Sequence, residues 1–373
     1  MKKLLVVLLS VLMIASLTAC GKEEETVDSN VIDTLTVSFV PSGDANVILE
    51  AAKGQTDIQK TNNWRGLDKI IVDSLAEKGF TVNNVEIDVG TNYTTIGEGL
   101  ISGTIDIGLI PASTYVYCQL DGVNLLVEAL RWGVAGEDAS IALDPKDGIT
   151  PWNGSITQDA TTKATGYASL IYVNIETEKG ADLYNKAVEG TLTWEDVDSA
   201  IWYVCSPGSS AGYVYPSLWL NDNFGEGVGN EKRTVASLKN VNLGGNYPNM
   251  MASLLNGECD ITVGYADVRK ETASTEAFEA AYEDLAAEGK TVWDIVKVIA
   301  VSDMIMNDTV SVADESVDSK MTPELVTALQ ETFIALGETE EGQAAVAPYN
   351  HIGYALGQDS DYDLTRAANQ LFK

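Results

Sequence analysis

The sequence predicts an α/β fold of two lobes, with mixed sheets and a two-segment hinge between the lobes. Strand-like apolar runs alternate with helix-like stretches along most of the 373 residues, as in sheets that are covered by helices. A stretch rich in Gly, Asp, Pro and Thr at 136–166 interrupts this alternation, which then resumes. Hydrophobic residues make up 45% of the chain, enough for two cores of ordinary size. We predict that residues 35–165 and 311–373 form lobe 1 and that residues 166–310 form lobe 2.

Apolar runs bounded by Gly, Pro or polar clusters define the strands of the first lobe. They predict strands at 35–40, 85–89, 105–110 and 123–130. Between them, apolar residues at helical spacing predict helices at 66–78 and 93–102. The resulting β-α-β-α-β order predicts a mostly parallel sheet. We interpret residues 136–166, which break this order, as a surface excursion.

The same alternation continues in the second part of the chain. Strands are predicted at 168–173, 201–205, 260–264 and 296–301. Helices are predicted at 194–200, from about 212, and at 249–255, 276–287, 323–336 and 340–347. We interpret residues 309–312 as a connector. The chain should pass between the lobes near 165–168 and near 306–311, so these two segments are the predicted hinge.

The first 34 residues are predicted to be a targeting segment and a tether. Lys2 and Lys3 precede an almost wholly apolar run at 4–17, which is shorter than the roughly 20 residues that a membrane-spanning helix needs. We therefore interpret residues 1–19 as a secretory signal and the polar residues 20–34 as a flexible tether.

The last residues of this predicted signal, together with the cysteine after them, indicate how the protein is attached to the membrane. Leu17-Thr18-Ala19-Cys20 resembles the lipobox of bacterial lipoproteins. The resemblance implies cleavage before Cys20 and attachment of lipid to its thiol, and two acyl chains suffice for stable anchoring. We therefore expect an extracytoplasmic protein that Cys20 anchors to the cell membrane. The alternative is an ordinary signal peptide followed by an incidental cysteine.

Charge and composition disfavour several functions. The net charge of −32 disfavours nucleic-acid binding, which needs clustered Lys and Arg. His351 is the only histidine, and no Cys or His cluster has the spacing of metal ligands. We therefore expect no metal, no cofactor and no enzymatic activity. Beyond Cys20, either Cys205 and Cys259 form a disulfide, or Cys118, Cys205 and Cys259 are three buried free thiols.

Three segments place small or hydroxyl-bearing residues where a predicted strand ends and a helix begins. They are 93–95, 112–114 and 209–211. A helix N-terminus offers free backbone N–H groups and a partial positive charge, and hydroxyls add directed donors, so three such ends can hold a small anion without an arginine. The alternative is that these hydroxyls only cap their helices. The candidate anion-binding residues are Tyr93, Thr94, Thr95, Ala112, Ser113, Ser209 and Ser210.

Three longer stretches carry a recognisable pattern: DVGTNYTTIGEGLISGTIDIGLIPASTYV, SPGSSAGYVYPSLWL and NYPNMMASLLNGECDITVGYADV. They resemble the signature segments of PhnD-like phosphonate-binding proteins, the substrate-binding lipoproteins of ABC importers. The similarity extends over most of residues 35–350. It implies a type II periplasmic-binding-protein-like fold, a phosphonate or related small oxyanion bound between the lobes, and an ABC transporter permease as partner.

Position by position, the resemblance implies roles for individual residues. Tyr93 and Tyr167 match tyrosines that line the ligand cleft, and Ser209 and Ser210 match hydroxyls that contact the phosphonate oxygens. Tyr247 stands where many family members have a histidine that donates to the phosphonate. A tyrosine still supplies one donor there, but it is longer and uncharged.

Two acidic residues bear on the identity of the ligand. Asp267 and Asp308 match positions that face the amine in family members binding 2-aminoethylphosphonate, so we expect this zwitterion to bind more tightly than ethylphosphonate. The alternative is that both are solvated loop carboxylates. A sulfonate, an amino-acid-like zwitterion or an organic amine stays open as ligand of the same fold. An extracellular enzyme is the least supported function.

Overall fold

The structure is a computed structural model that describes residues 30–136, 142–226, 232–272 and 275–372. Within these residues the chain forms a mixed α/β fold, in which a seven-stranded and a five-stranded sheet each contact helices. This confirms the predicted fold class. The predicted signal and Cys20 lie outside the described residues. No helix in the described part of the chain is long and apolar enough to cross a membrane.

The strands are numbered along the chain. They are β1 Val31–Phe39, β2 Thr81–Val89, β3 Ile107–Ile110, β4 Val123–Ala135, β5 Thr157–Ala164, β6 Gly166–Tyr167, β7 Ser169–Asn174, β8 Trp202–Val204, β9 Val241–Leu243, β10 Ile261–Tyr265, β11 Val296–Val301, β12 Ile305–Met306, β13 Thr309–Ala313 and β14 Gly353–Ala355.

The α-helices are numbered in the same way. They are α1 Ala45–Ala52, α2 Asp57–Asn62, α3 Leu67–Glu77, α4 Tyr93–Ile101, α5 Ala112–Cys118, α6 Glu178–Glu189, α7 Trp194–Asp198, α8 Tyr215–Phe224, α9 Tyr247–Leu255, α10 Arg269–Thr272, α11 Thr275–Ala281, α12 Glu283–Ala287, α13 Val292–Ile295, α14 Pro323–Leu336, α15 Glu340–Val346 and α16 Asp363–Asn369. One π-helical turn, Ser210–Val214, leads directly into α8.

The first sheet has the order β14-β4-β13-β3-β1-β2, with β5 paired to β4. Its centre is parallel, because β1 pairs with both β2 and β3 and places Val37 beside Ile87 and Ile107. Strand β13 returns antiparallel between β3 and β4. Every residue of β3 and β13 is buried, which is typical of central strands covered on both faces.

The second sheet has the order β11-β7-β10-β8-β9. Strand β7 runs antiparallel to β10 and β11, whereas β8 runs parallel to β10 and β9. All six residues of β7 are buried. The loop after β8 and the start of α9 lie at the carboxyl end of β8 and β9, the edge at which α/β sheets commonly bind ligands.

The chain passes between the two sheets twice, between β5 and β7 and between β11 and β13. At these crossings β6 and β12 pair antiparallel, with Tyr167 opposite Ile305. The Asn307 side chain donates to the carbonyl oxygens of Ala129, at 2.9 Å, and Ala164, at 2.6 Å. The second crossing is thereby fixed to β4 and β5. That the two crossings act as a hinge stays a prediction.

Several local predictions are wrong. Residues 309–313 are not a connector but the central strand β13. The stretch 136–166 is not simply a surface excursion, because β5 pairs with β4 and Trp152 is fully buried. Strand β1 begins at Val31, inside the predicted tether. Helices α1, α2, α6 and α16 are additions that the periodicity of the sequence did not predict.

A buried ion pair fixes the segment around Trp152 to the second sheet. The Arg269 guanidinium and the Asp267 carboxylate are 3.0 Å apart, and both side chains are inaccessible to solvent. Arg269 also donates to the carbonyl oxygens of Trp152, at 2.7 Å, and Val296, at 2.9 Å. One guanidinium therefore joins the 142–156 region, β11 and α10.

We expect Arg269→Met to lower the free energy of unfolding by about 3–5 kcal/mol, because it leaves the Asp267 charge buried without its partner. The double variant Asp267→Asn/Arg269→Met should recover part of this loss. Arg65→Met is the matched control: Arg65 pairs with Asp73 and Glu341 at the surface, where such pairs contribute roughly 0–1 kcal/mol. Urea unfolding measures all three variants, and equal losses for Arg269→Met and Arg65→Met would contradict the assigned role.

Candidate functional site

A small cavity lies between the two lobes, where β1, α4, β4 and the second crossing face the β8–α8 loop and α9. It leaves about 30 Å³ in which the centre of a water molecule can move, whereas one water needs about 10–15 Å³ by this measure. We call it the central cavity. Its tyrosines and polar side chains are Tyr93, Tyr167, Tyr247, Tyr265, Tyr349, Ser42, Arg131, Ser209, Glu271, Asp308 and Asn350.

Two buried donors at this cavity make no hydrogen bond to any described residue. They are the hydroxyl of Tyr93, at the first residue of α4, and Nε of Arg131, on β4. The Tyr93 hydroxyl lies near Ser209 and Cys205, but without the geometry of a hydrogen bond. Because buried polar groups are nearly always paired, two such groups at one cavity indicate a site for a ligand that accepts hydrogen bonds.

Arg131 belongs to a buried charge network that closes one side of the cavity. Its Nη2 donates to Oδ2 of Asp308 at 2.7 Å, and the side chains are 12% and 9% exposed. Burial alone would raise the pKa of Asp308, but the Arg131 charge and the His351 hydrogen bond outweigh it and hold the pKa below its usual value. Burial also opposes the charge of Arg131, yet the nearby Asp308 raises the pKa of Arg131.

His351 adds a second contact to the Asp308 oxygen that Arg131 binds. Its Nε2 lies 3.4 Å from Oδ2 of Asp308 and its Nδ1 lies 3.2 Å from the hydroxyl of Tyr354. Burial lowers the pKa of His351, so the ring is neutral at pH 7. A neutral ring has one donor, which we assign to Nε2 because Asp308 only accepts. The histidine thus supports Asp308 and is not itself in the cavity lining.

The opposite wall consists of hydroxyl groups from lobe 2. The Ser209 hydroxyl accepts from the Gly212 N–H at 3.0 Å and lies 2.9 Å from the Tyr247 hydroxyl. The Tyr247 ring packs edge-on against Tyr265, with ring centroids 5.1 Å apart. Burial raises the pKa of Tyr247 well above its usual value, so its hydroxyl keeps its proton and can donate.

The lobes touch directly beside the cavity. The Ser113 N–H donates to Oγ of Ser210 at 3.0 Å, and Oγ1 of Thr114 donates to the Gly208 carbonyl at 2.9 Å. A side chain at Gly208 would begin 2.8 Å from Cβ of Tyr93 and 2.9 Å from Oγ1 of Thr114. Only glycine therefore fits between the starts of α4 and α5.

The structure brings five of the predicted ligand residues to the cavity and keeps six away from it. All three predicted segments begin helices, but 93–95 contributes only Tyr93 to the lining, 209–211 contributes only Ser209, and 112–114 contributes no residue. The residues that line the cavity are Tyr93, Tyr167, Ser209, Tyr247 and Asp308, and those that do not are Thr94, Thr95, Ala112, Ser113, Ser210 and Asp267.

The predicted ligand residues outside the lining of the central cavity are held there by different contacts. The N–H and hydroxyl of Thr95 both bond to Asn92, so Thr95 is part of a helix cap, the alternative raised from the sequence. Ser113 and Ser210 bond to each other across the lobes. Ala112 is buried behind the lining.

Asp267 does not present a free carboxylate to the cavity. Besides its ion pair with Arg269, it accepts hydrogen bonds from Nε1 of Trp293 at 3.0 Å and from the hydroxyl of Tyr172 at 3.1 Å. Asp308 lines the cavity but is paired with Arg131. The expectation that two unpaired carboxylates face an amine is therefore corrected, because each aspartate has its own arginine.

Sequence reasoning missed several lining residues, above all Arg131. From the sequence we expected that helix N-termini could hold an anion without an arginine, whereas the structure places Arg131 in the cavity lining. Arg131 extends the strand predicted at 123–130, and an arginine after a buried apolar run was a signal that could have been used. Glu271 lies within α10 and Asn350 follows a 3₁₀ turn, and neither residue carried a comparable signal.

The described residues contain no group of His, Cys, Asp and Glu side chains arranged to hold a metal ion. Cys118, Cys205 and Cys259 are buried free thiols, so of the two alternatives the structure favours free thiols. Burial raises the pKa of all three to about 12, which keeps them protonated and unreactive near neutral pH.

Comparison with known proteins identifies the family. Residues 69–362 match the family described as "ABC transporter, phosphonate, periplasmic substrate-binding protein". Because the match covers most of the chain, this protein belongs to that family, which confirms the resemblance found in the sequence. The family consists of extracytoplasmic solute-binding proteins that serve transporters, which is not an enzyme class. No curated protein matches the chain.

Solved structures share the fold at low sequence identity. PhnD1 from Prochlorococcus marinus in complex with methylphosphonate has a TM-score of 0.55 at 11% identity, over 92% of this chain and 99% of that chain. A binding-protein component of an ABC phosphonate transporter from Pseudomonas aeruginosa has a TM-score of 0.55 at 13% identity, over 91% and 89%. A Xanthomonas citri protein bound to ATP has a TM-score of 0.56 at 11% identity, over 91% and 97%.

Glu271 at the edge of the cavity gives a testable pH dependence. It is exposed by surface area, yet protein atoms crowd around its carboxyl, and this burial raises its pKa to about 7 against the opposing effects of Asn350 and Arg131. The usual pKa of a glutamate is about 4.3. Between these two pH values the folded protein binds the proton more tightly than the unfolded chain, so Glu271 lowers stability as the pH rises.

We therefore expect the free energy of unfolding of Glu271→Gln to rise relative to that of the wild type between about pH 5 and about pH 8. Urea unfolding of both proteins at the two pH values measures this difference. The effect should be small because the carboxyl keeps contact with solvent. A difference between the two proteins that does not change with pH would rule out the raised pKa.

Proposed function

We propose that this protein captures a phosphonate or closely related small oxyanion in the central cavity and delivers it to the permease of an ABC importer. Membership of the family supports the class of function. The observation that supports the ligand class is the pair of buried donors without partners, the Tyr93 hydroxyl and Nε of Arg131. A buried donor left unpaired costs about 1–3 kcal/mol, and an oxyanion has enough lone pairs to accept from both.

The donors come from both lobes, which supports a closing mechanism. Tyr93 and Arg131 belong to α4 and β4, whereas Ser209 and Tyr247 belong to the lobe built on the second sheet. An oxyanion that accepts from all four binds better when the lobes are in contact, and it thereby shifts the population toward the closed arrangement. The proposed hinge consists of the two crossings, at 165–168 and at 302–308. The second replaces the predicted segment 306–311, which runs into β13.

An organic cation is the second candidate, because five tyrosine rings surround the cavity and such rings attract cations. The protein already supplies a cation to two of them: the Arg131 guanidinium carbon lies 4.9 Å from the Tyr167 ring centroid and 5.7 Å from that of Tyr265. The nearest cavity carboxylate, Asp308, is also paired with Arg131. Both observations favour an anion over an amine.

We expect Tyr93→Phe to weaken methylphosphonate binding by roughly ten- to a hundred-fold, because a hydrogen bond to a charged group contributes about 1.5–3 kcal/mol. Tyr362→Phe is the matched control, since the Tyr362 hydroxyl is also buried without a described partner but lies outside the cavity lining. It should leave the dissociation constant unchanged. Calorimetric titration measures both variants.

The same titrations separate the two candidate functions. Wild-type protein should bind methylphosphonate with single-site saturation and should not bind tetramethylammonium. Saturable binding of tetramethylammonium without binding of any phosphonate, phosphate or sulfonate would overturn the oxyanion proposal. If Tyr93→Phe binds methylphosphonate with the wild-type dissociation constant, the Tyr93 hydroxyl does not contact the ligand.

Lipid anchoring through Cys20 is also part of the proposal, supported by the sequence Leu17-Thr18-Ala19-Cys20. We expect Cys20→Ser to release the protein from the membrane fraction while its thermal unfolding stays the same, because Cys20 lies ahead of the folded residues. Fractionation of cells that express each form is the measurement. A variant that stays in the membrane fraction would contradict anchoring by Cys20.

A further inference from the structure

A second chamber adjoins the central cavity on the side of α10. We call it the side chamber; it is lined by Arg131, Trp132, Tyr265, Lys270, Glu271 and Asn350, among others, and leaves about 50 Å³ for the centre of a water molecule. Arg131, Tyr265, Glu271 and Asn350 line both spaces. The two spaces are therefore neighbours that have these four side chains in common.

The charges around the side chamber favour an anionic group. Lys270 is half-buried, and it makes no ion pair with any residue in the described part of the chain. Burial lowers the pKa of Lys270 against the attraction of Asp267, so a nearby anion would stabilise its charged form. Arg131, whose Nε has no hydrogen-bond partner among the described residues, lines both spaces.

The acidic residues of the side chamber do not cancel this preference. Asp267 lines it, but its carboxylate is occupied by Arg269, Trp293 and Tyr172. Glu271 has a raised pKa, and a neighbouring anion would favour its protonated form, which donates a hydrogen bond. An amine in this space would instead lie beside Lys270 with no unpaired aspartate to receive it.

The walls also fit a short carbon spacer. Trp132 and Val134 give the side chamber an apolar side, and the Asn350 side chain, which donates to the Tyr265 hydroxyl at 3.3 Å, lies at the boundary. A chain of a few carbon atoms can pack here while its two ends meet donors in the two spaces.

We propose that the side chamber is a second subsite, which takes the carboxylate or another anionic end of a phosphonate with a short carbon chain, and that Lys270 is the residue that selects it. The substrate class is then a phosphonocarboxylate rather than an aminophosphonate. This inference rests on the proposed function, because it requires the phosphonate end to lie in the central cavity.

The test compares three ligands that share a two-carbon chain on the phosphonate: ethylphosphonate, 2-aminoethylphosphonate and 2-carboxyethylphosphonate. We expect wild-type protein to bind 2-carboxyethylphosphonate at least about tenfold more tightly than ethylphosphonate, and more tightly than 2-aminoethylphosphonate. In Lys270→Met, the dissociation constants of 2-carboxyethylphosphonate and ethylphosphonate should become nearly equal. Lys270→Arg should keep most of the wild-type preference for 2-carboxyethylphosphonate. Lys60→Met, at an exposed lysine outside both cavities, should keep the wild-type ratio.

Thermal unfolding of each variant shows that it is folded before titration. If ethylphosphonate binds but the carboxylate gives no gain, or the amine binds most tightly, the side-chamber inference is overturned and the proposed function stands. The inference is equally overturned if Lys270→Met keeps the wild-type ratio. If no phosphonate binds at all, both proposals fail.

Discussion

The ion pair between Arg131 and Asp308 is the constraint on which the site depends. A buried guanidinium must be paired, because an isolated charge in the interior costs several kcal/mol. Asp308 lies beside Arg131 because two contacts fix the second crossing to β4: the Asn307 side chain donates to the Ala129 carbonyl, and the Ala129 N–H donates to the Asp308 carbonyl at 2.9 Å. The guanidinium then lies over Tyr167, from the first crossing, and near Tyr265, from lobe 2. One side chain thus links the first sheet, both crossings and the second sheet at the central cavity.

Much of the fold could be predicted from the sequence because its signals are local. Helix α14 begins at Pro323 after the cap Thr322 and ends at Leu336, as predicted, and β11 has the predicted bounds. The three strand-to-helix junctions were found for the same reason: a cap and a change of hydrophobic period are encoded within a few residues. Family resemblance then identified the correct class of protein.

The features of the fold that could not be predicted depend on contacts between residues that are far apart in the sequence. Residues 309–313 are a central strand only because β3 and β4, nearly two hundred residues earlier, lie on either side. Likewise, whether an aspartate can receive a ligand depends on whether an arginine is already paired with it in the folded protein. For Asp267 that arginine is only two positions away, at Arg269, but for Asp308 it is on β4. The sequence therefore indicated which polar residues lie at the candidate site, but it did not indicate which of their charges are neutralised by ion pairs.

The contact at Gly208 implies that ligand affinity can evolve without any change in the cavity. The carbonyl of Gly208 holds Thr114, and the missing side chain lets the starts of α4 and α5 approach. A methyl group at this position would push the starts of α4 and α5 away from Gly208, so fewer molecules would have the arrangement that binds the ligand. The apparent dissociation constant rises in inverse proportion to that fraction. Under the proposed function, a side chain at Gly208 would weaken capture of the ligand and speed its release without changing any residue that lines the central cavity.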